Sequence, residues 1–249
     1  MTKNMDKEFA EGNLLKLLIK LSIPAIVAQL INALYNIVDR MYLGHIPEEG
    51  TLALTGVGLT FPIILLVSAF SALIGMGGAP LTSIALGKGD RREAEKLLGN
   101  SFVTLVGISV ILTGVQGAAL ATILSQFVSA LWVLKFLFGK KTGIRIRTKY
   151  FKVDFRLLGK ITALGMAPFI MQSTESLVQI TLNTNLRLYG SDLYVGAMTI
   201  LSSTIQIFTL PLQGFTQGAQ PIIGYNFGAK NYDRVKKTVK YSFTLCMTA

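Results

Sequence analysis

The chain has 249 residues, 51% hydrophobic and only 15% charged, with a mean hydropathy of +0.53 and a formal net charge of +11. Its charges are segregated, whereas a soluble domain of this size interrupts its apolar runs with charged surface positions every turn or two; a large water-soluble core is therefore excluded. The single Cys246 excludes an intrachain disulfide, and the single His45 excludes a histidine-built metal cluster.

Uncharged runs cover residues 21–38, 51–86, 97–134, 161–174 and 193–229. A hydrocarbon core about 30 Å thick takes roughly 20 predominantly apolar residues in a helix, so several of these runs are long enough to cross a bilayer. The basic residues sort by position. Lys3, Lys7, Lys16 and Lys20 precede the first span; Lys88, Arg91, Arg92 and Lys96 lie between the second and third. Nine Lys/Arg fall between 135 and 160, after the fourth span, and Lys230, Arg234, Lys236, Lys237 and Lys240 follow the sixth. Only Arg40 and Arg187 lie on the other side. This alternation predicts a multi-pass protein of the cell membrane with a cytoplasmic amino terminus. It also argues against nucleic-acid binding, which needs its basic residues on a folded soluble face.

In chain order, the first helix is predicted over 17–43, with Pro24 in its first half. The second covers 52–86 and is punctuated by Pro62, Gly75, Gly77, Gly78 and Pro80. The third begins near Arg92, where Asp90 and Glu93 form a D-x-x-E variant of the capping box. Lys96 and Lys135 then bracket 38 uncharged residues, barely enough for two spans with no loop between them. The turn signal Thr113-Gly114 marks a cramped hairpin or a junction where sequence is missing. A basic linker follows, then a fifth helix over 158–188, interrupted near Gly165 and Pro168, and a sixth over 194–227. Residues 241–249 are apolar but too few to span.

The two halves repeat in parallel. GAPLTSIALGKGDRRE from Gly78 resembles GAQPIIGYNFGAKNYDR from Gly218; Pro80 and Gly87 pair with Pro221 and Gly228, and Ser101-Phe102 with Ser242-Phe243. Pro24 and Pro168 take comparable places in the first helix of each half. Parallel repeats of this kind occur in transporters that rock two bundles about a central site.

Polar residues at bilayer depth are costly unless they face a partner or a hydrated cavity. Gln29, Asn32, Asn36 and Asp39 recur at helical spacing on the first helix, and Gln172, Glu175, Gln179 and Asn183 on the fifth. Thr199, Ser202, Gln206, Thr209 and Gln213 recur on the sixth. The neutral members serve equally as interhelical glue or as the lining of a cavity. A carboxylate is different, because ionisation without a partner is expensive in a low dielectric, and that property makes it a proton or cation coupler. For Asp39, near the outer end of its helix, the alternative is an interfacial pair with Arg40. Enzyme chemistry lacks its motifs: there is no phosphate-binding loop and no Ser/His or Cys/His set within a shared span.

NIVDRMYLG from Asn36, GVQGAALATILSQ from Gly114 and QGAQPIIGYNFGAKNYDRVKK from Gln217 resemble the multidrug and toxic compound extrusion (MATE) family. The resemblance implies an all-α, two-lobe membrane bundle, of which about six full spans and a partial seventh are present. It implies export of cationic, amphipathic drugs by alternating access, driven by inward H+ or Na+ with no other cofactor. Membrane lipid is then the surrounding partner, and no oligomer is required. Asp39 matches the coupling carboxylate of the first helix, Thr122 a threonine of the sixth, and Glu175 lies near a seventh-helix glutamate. Gln29, Asn32, Asn36, Gln172, Gln179, Asn183, Ser202 and Gln206 become candidate cavity residues. The family's fourth and fifth helices have no counterpart, nor does anything after the start of the ninth. The expected organisation is therefore an incomplete amino-terminal lobe (1–138), a cytoplasmic linker (139–157) and an incomplete carboxy-terminal lobe (158–249). Two alternatives are a non-transporting membrane fragment and a flippase for lipid-linked saccharides; the latter would need a wide basic cavity, whereas these stripes are neutral to acidic.

Overall fold

The computed structural model describes residues 2–45, 50–113, 146, 148–151, 153–190 and 192–248. Among them are seven α-helices and one 3-10 turn, and no strand. The helices are α1 (Thr2–Glu11), α2 (Leu14–Gly44), α3 (Gly50–Gly87), α4 (Arg91–Thr113), α5 (Phe155–Tyr189), α6 (Asp192–Gly228) and α7 (Tyr232–Thr248); the 3-10 turn is Thr148–Tyr150. Within the described residues the apolar runs thus fold as the helices they predict, extended by a few residues at the ends seen. Among the described residues, Leu14–Tyr35, Ile64–Gly87 and Leu193–Gly228 are long and apolar enough to cross a membrane. Helix α5 falls short of them because Gln172, Glu175, Gln179 and Asn183 dilute its apolar content. The expected fourth span, and the junction following Thr113, lie outside the described residues.

Three features differ from expectation. Helix α1 precedes the first span. Helix α5 runs unbroken through Gly165 and Pro168, where an interruption is predicted, just as α3 runs as one helix through Pro62 and Pro80. Proline is tolerated within a bundle because neighbouring side chains can engage the backbone groups it disturbs. Finally, α7 starts at Tyr232, so the apolar segment from 241 completes a helix whose first half is charged.

The internal repeat reappears as backbone geometry. Past the end of α3, Gly89 takes a left-handed conformation (φ 79°); 141 positions later, past α6, Lys230 does the same (φ 60°). After α3 the amides of Lys88, Gly89 and Asp90 donate to the carbonyls of Ile84, Leu86 and Ala85 at 3.0, 2.9 and 3.0 Å. After α6 those of Ala229, Lys230 and Asn231 donate to Tyr225, Phe227 and Asn226 at 2.9, 3.1 and 2.8 Å. Each turn is a Schellman motif, which satisfies carbonyls that a helix end otherwise leaves bare. The next helix begins at once. The carbonyl of Asp90 accepts from Ala94 (3.1 Å), and that of Asn231, its repeat partner, from Val235 (3.3 Å). Asp90 Oδ1 also accepts the amide of Glu93 at 2.9 Å, forming the cap that the D-x-x-E spacing predicts.

The chain divides into two compact units, and the division falls within α3, α5, α6 and α7. Unit one comprises Met1–Asn13, Phe70–Phe169 and Pro221–Val235; unit two comprises Leu14–Ala69, Ile170–Gln220 and Lys236–Ala249. Each draws segments from both halves of the sequence.

Unit one is centred on Ile74, Ala85, Ala94, Leu97, Leu157 and Ile161. Its helices approach backbone to backbone. A Cβ on Gly87 would run into the carbonyl oxygen of Tyr225, and one on Gly228 into that of Ile84. These two contacts are reciprocal: Gly87 and Ile84 stand in the repeat where Gly228 and Tyr225 stand in its second copy. Gly77 is pressed in the same way against the Ile161 carbonyl, and Gly165 against that of Leu73. Helix α1 is tied down by polar bonds. Asn226 Nδ2 donates to the Phe9 carbonyl (3.2 Å), and Arg234 Nη2 donates to the carbonyls of Phe9 (3.1 Å) and Gly12 (2.9 Å). The Phe9 and Tyr225 rings lie 5.4 Å apart beside them. In unit two, Gly218 and Gly214 of α6 pack against Ser22 and Ile26 of α2, again at backbone distance.

Two outcomes follow from this geometry. Left-handed backbone costs a side-chain-bearing residue roughly 1–2 kcal/mol, so Lys230→Gly should stabilise the detergent-solubilised protein by about 1 kcal/mol and raise its thermal midpoint. Gly228→Val should destabilise by about 1–3 kcal/mol or more, the usual scale of overpacking. Gly107→Ala, in open space within α4, should not lower the same midpoint, because alanine is the better helix former where nothing opposes its Cβ.

Candidate functional site

Every sequence-predicted site residue that lies in a described helix belongs to unit two. Helix α2 supplies Gln29, which is half-buried, and Asn32, which is exposed. Asn36 and Asp39 are on the same helix, with side chains outside what the structure describes, and Thr122 lies outside the described residues altogether.

On α5 the polar stripe has a buried centre and an exposed edge. Asn183 is 6% exposed, Gln172 and Gln179 are half-buried, and Glu175 is exposed. At 100° per residue, Gln172, Gln179 and Asn183 nearly superpose down the helix, whereas Glu175 is rotated to one side of them. The acidic group therefore sits on the flank of the stripe and not at its centre. Burial also identifies a member that charge-based reading passes over. Ser176, 1% exposed, lies on the same face one turn from Gln172. Its hydroxyl donates to the Pro62 carbonyl of α3 at 2.7 Å, joining two helices inside unit two. The angular spacing that selects Gln172 and Gln179 also selects Ser176.

On α6, Ser202 and Gln206 are half-buried on the side that carries the buried Val195 and Leu210. Thr199 turns its hydroxyl to the Val195 carbonyl (2.8 Å) and Thr209 to that of Gln206 (3.0 Å). Both hydroxyls are thus partnered within their own helix, which lowers the cost of placing them in an apolar setting. Among the described residues no cluster of His, Cys, Asp and Glu could hold a metal ion.

A second feature lies in unit one and includes none of these residues. It is a cleft of about 630 Å³ lined by Arg92, Lys96, Asn100, Lys149, Tyr150, Val153, Asp154, Phe155, Arg156 and Leu157. Its shape depends on Asn100, which is 2% exposed. The Asn100 Oδ1 accepts the Asp154 amide at 2.7 Å, and its Nδ2 donates to the Lys96 carbonyl at 3.0 Å. Asp154 in turn caps α5, its Oδ1 accepting the amides of Arg156 (3.0 Å) and Leu157 (3.4 Å).

Long apolar helices with partly buried polar faces, built on an internal repeat, define a polytopic helical membrane protein. The chain belongs to the MatE family, whose model matches residues 24–136 and 168–249. Members of this family are transporters and not enzymes. The chain is similar to the multidrug export protein MepA of Staphylococcus haemolyticus, with 21% identity over 328 positions that cover 96% of this chain and 72% of that one. MepA of Staphylococcus aureus strain NCTC 8325 matches at 21% over 97% and 72%. The 328 aligned positions exceed the 249 residues present here, so the relative carries internal residues without a counterpart in this chain.

Solved structures share the fold. A MOP superfamily transporter from Pyrococcus furiosus superposes with a TM-score of 0.76 at 19% identity, covering 96% of this chain and 70% of that one. A MATE structure in complex with Br-NRF gives 0.72 at 20% identity, covering 96% and 75%.

The Ser176 bond sets a checkable magnitude. Hydrogen bonds between membrane helices contribute about 0.6 kcal/mol on average, so Ser176→Ala should lower stability by roughly that amount. Ser176→Val, which adds bulk at a buried contact, should cost at least about 1 kcal/mol. Reversible unfolding in mixed detergent and lipid micelles measures both.

Proposed function

We propose that the chain is a cation-coupled antiporter that exports cationic, amphipathic compounds from the cytoplasm by alternating access. The reading rests on one observation: the family match runs through Asp39, Thr122 and Glu175, within a chain whose spans carry polar stripes. The relatives named as multidrug export proteins support the substrate class. The alternation of basic loops supports a cytoplasmic amino terminus and cytoplasmic basic segments, in the cell membrane.

The mechanism follows from the cost of charge at membrane depth. An ionised carboxylate there seeks water, a cation or a hydrogen-bond donor, and a neutral one does not. When a proton or Na+ reaches Asp39 from outside, it removes that demand and favours one arrangement of the bundle. The drug, itself cationic, is attracted when the carboxylate is ionised and released when it is neutralised. Ion and drug then alternate on one charge. Coupling needs the ion to bind the two arrangements with different affinity, since an ion that binds both equally shifts nothing. Gln29, Asn32, Asn36, Gln172, Gln179, Asn183, Ser202 and Gln206 serve as neutral donors and acceptors for the drug's polar groups, and Glu175 contributes a second carboxylate.

Proteoliposomes loaded with a fluorescent cationic dye test this reading. A proton gradient and a Na+ gradient, applied separately, identify the driving ion. Asp39→Asn should reduce gradient-driven dye movement at least about tenfold, the loss of roughly 1.4 kcal/mol of coupling. Glu175→Gln should have a smaller effect, as its place on the edge of the α5 stripe suggests. Undiminished transport by Asp39→Asn removes that residue from the mechanism.

A second reading is favoured by the internal residues that MepA has and this chain lacks. A bundle without facing helices would leave its polar stripes against lipid or one another, and the chain would then be a membrane-embedded, non-transporting member of the family. Absence of gradient-driven dye movement by the unsubstituted chain, with its helical content intact, decides for that reading.

A further inference from the structure

We propose that the cleft of unit one is a binding site for a phosphate-bearing anion, with the headgroup of an anionic inner-leaflet lipid as its principal source. Four of its lining side chains are cationic, Arg92, Lys96, Lys149 and Arg156, against a single carboxylate, Asp154. That carboxylate is already committed, because its Oδ1 receives two backbone amides at the start of α5. With four cations against this one carboxylate, the lining carries a net positive charge.

Its construction separates it from a scatter of surface lysines. Arg92, Lys96 and Asn100 stand four residues apart and so line one face of α4. Lys149 and Tyr150 come from the 3-10 turn and Arg156 from the first turn of α5, so the cations converge from three elements. Asn100 bonds to the Asp154 amide at 2.7 Å and holds the opposing wall to α4. The Phe102 and Phe151 rings, 5.9 Å apart, and the approach of Tyr150 to Gly99 reinforce the same junction. A volume of about 630 Å³ falls within the roughly 300–1,000 Å³ of small-ligand pockets, ample for a phosphate and the glycerol beside it.

The repeat supplies the strongest contrast. At the positions equivalent to Arg92, Lys96 and Asn100, 141 residues on, α7 carries Asp233, Lys237 and Tyr241. The scaffold is duplicated, and the second copy is also basic, but of these three positions only that of Lys96 keeps a cation there, and the asparagine tether is replaced by tyrosine. Loop charges needed only to orient the chain would not have to converge on a cleft. Arginine and lysine recognise phosphate through charge-assisted hydrogen bonds, which Arg makes in bidentate form. Basic pockets between helices on the cytoplasmic side are suited to anionic headgroups, and the charge alternation of the sequence puts these residues on that side. Tyr150 and Phe155, at the same cleft, supply the aromatic surface that sits well at a headgroup boundary.

The test uses the full chain in bilayers containing trace spin-labelled phosphatidylglycerol or spin-labelled phosphatidylcholine, reading the motionally restricted fraction of each. Phosphatidylglycerol should be preferred at least about fivefold, the scale expected for one or more basic contacts. The preference should fall to near unity in R92Q/K96Q/R156Q and persist in K230Q/K236Q/K237Q, which removes the same number of charges from another basic segment, at the start of α7 and the turn before it. Arg156→Gln alone, on an exposed side chain, should lower it in the same direction and guards against misfolding of the triple variant. Millimolar phosphate or pyrophosphate distinguishes the sources: competition that abolishes the preference assigns the cleft to a soluble phosphate compound, and persistence assigns it to the lipid. Equal preference for both lipids, equal loss in the two triple variants, or retention in both R92Q/K96Q/R156Q and Arg156→Gln overturns the proposal.

Discussion

Helices in hydrocarbon gain nothing from hiding apolar surface from one another, because lipid tails are as apolar as leucine. What holds them together is the closeness of their approach and the few polar bonds they make. In this protein that closeness depends on glycine. Gly87 and Gly228 admit each other's partner backbone in unit one, and Gly77 and Gly165 do so a few turns away. The Schellman turns after α3 and α6 begin at those crossings, and α4 and α7 start from them. The cleft, the seating of α1 and the entry to α5 are all placed by helices whose separation is set at a missing Cβ.

Polar groups inside such a bundle are constrained from two sides. Some must be satisfied for the bundle to form, and others must be left available for transport to occur. Ser176 and the hydroxyls of Thr199 and Thr209 are in the first group, each spending its hydrogen on a carbonyl. Glu175 differs from them by its position on the exposed flank of the α5 stripe. Both kinds of residue share one helix here: on α5 Ser176 is buried and bonded, and Glu175 is exposed. Unit two assembles both from α2, α5 and α6, and unit one provides the anchoring polar bonds of Asn100, Asn226 and Arg234.

Duplication explains the scaffold but not the chemistry placed on it. The left-handed position after α3 is filled by glycine and its copy by lysine, although both make the same turn. Asn226 and Arg234 fasten α1, whereas Asn100 fastens the approach to α5. Each copy thus ties down the segment leading into a long helix, using different residues for one mechanical purpose. Backbone hydrogen bonds in a turn tolerate substitution as long as φ and ψ are reachable. Side-chain bonds do not, and they have diverged.

Much of the architecture was legible in the chain itself. Charge segregation determined the membrane setting, apolar length determined α2, α3 and α6, and the Asp90–Glu93 spacing located the start of α4. The paired Gly87 and Gly228 carry the repeat in the sequence itself. These are local or periodic properties, and a helix in lipid satisfies its own backbone, so the sequence of one segment is enough to specify it. Which glycines are crossing points and which are idle was decided only in three dimensions: Gly77 is locked against Ile161 and Gly75, two residues earlier on the same helix, meets nothing. The continuity of α5 through Pro168, the burial of Ser176, the exposure of Glu175 and the convergence of Arg92, Lys149 and Arg156 were likewise beyond the sequence. Each depends on which other segment lies opposite, and that is a property of packing between residues far apart in the chain.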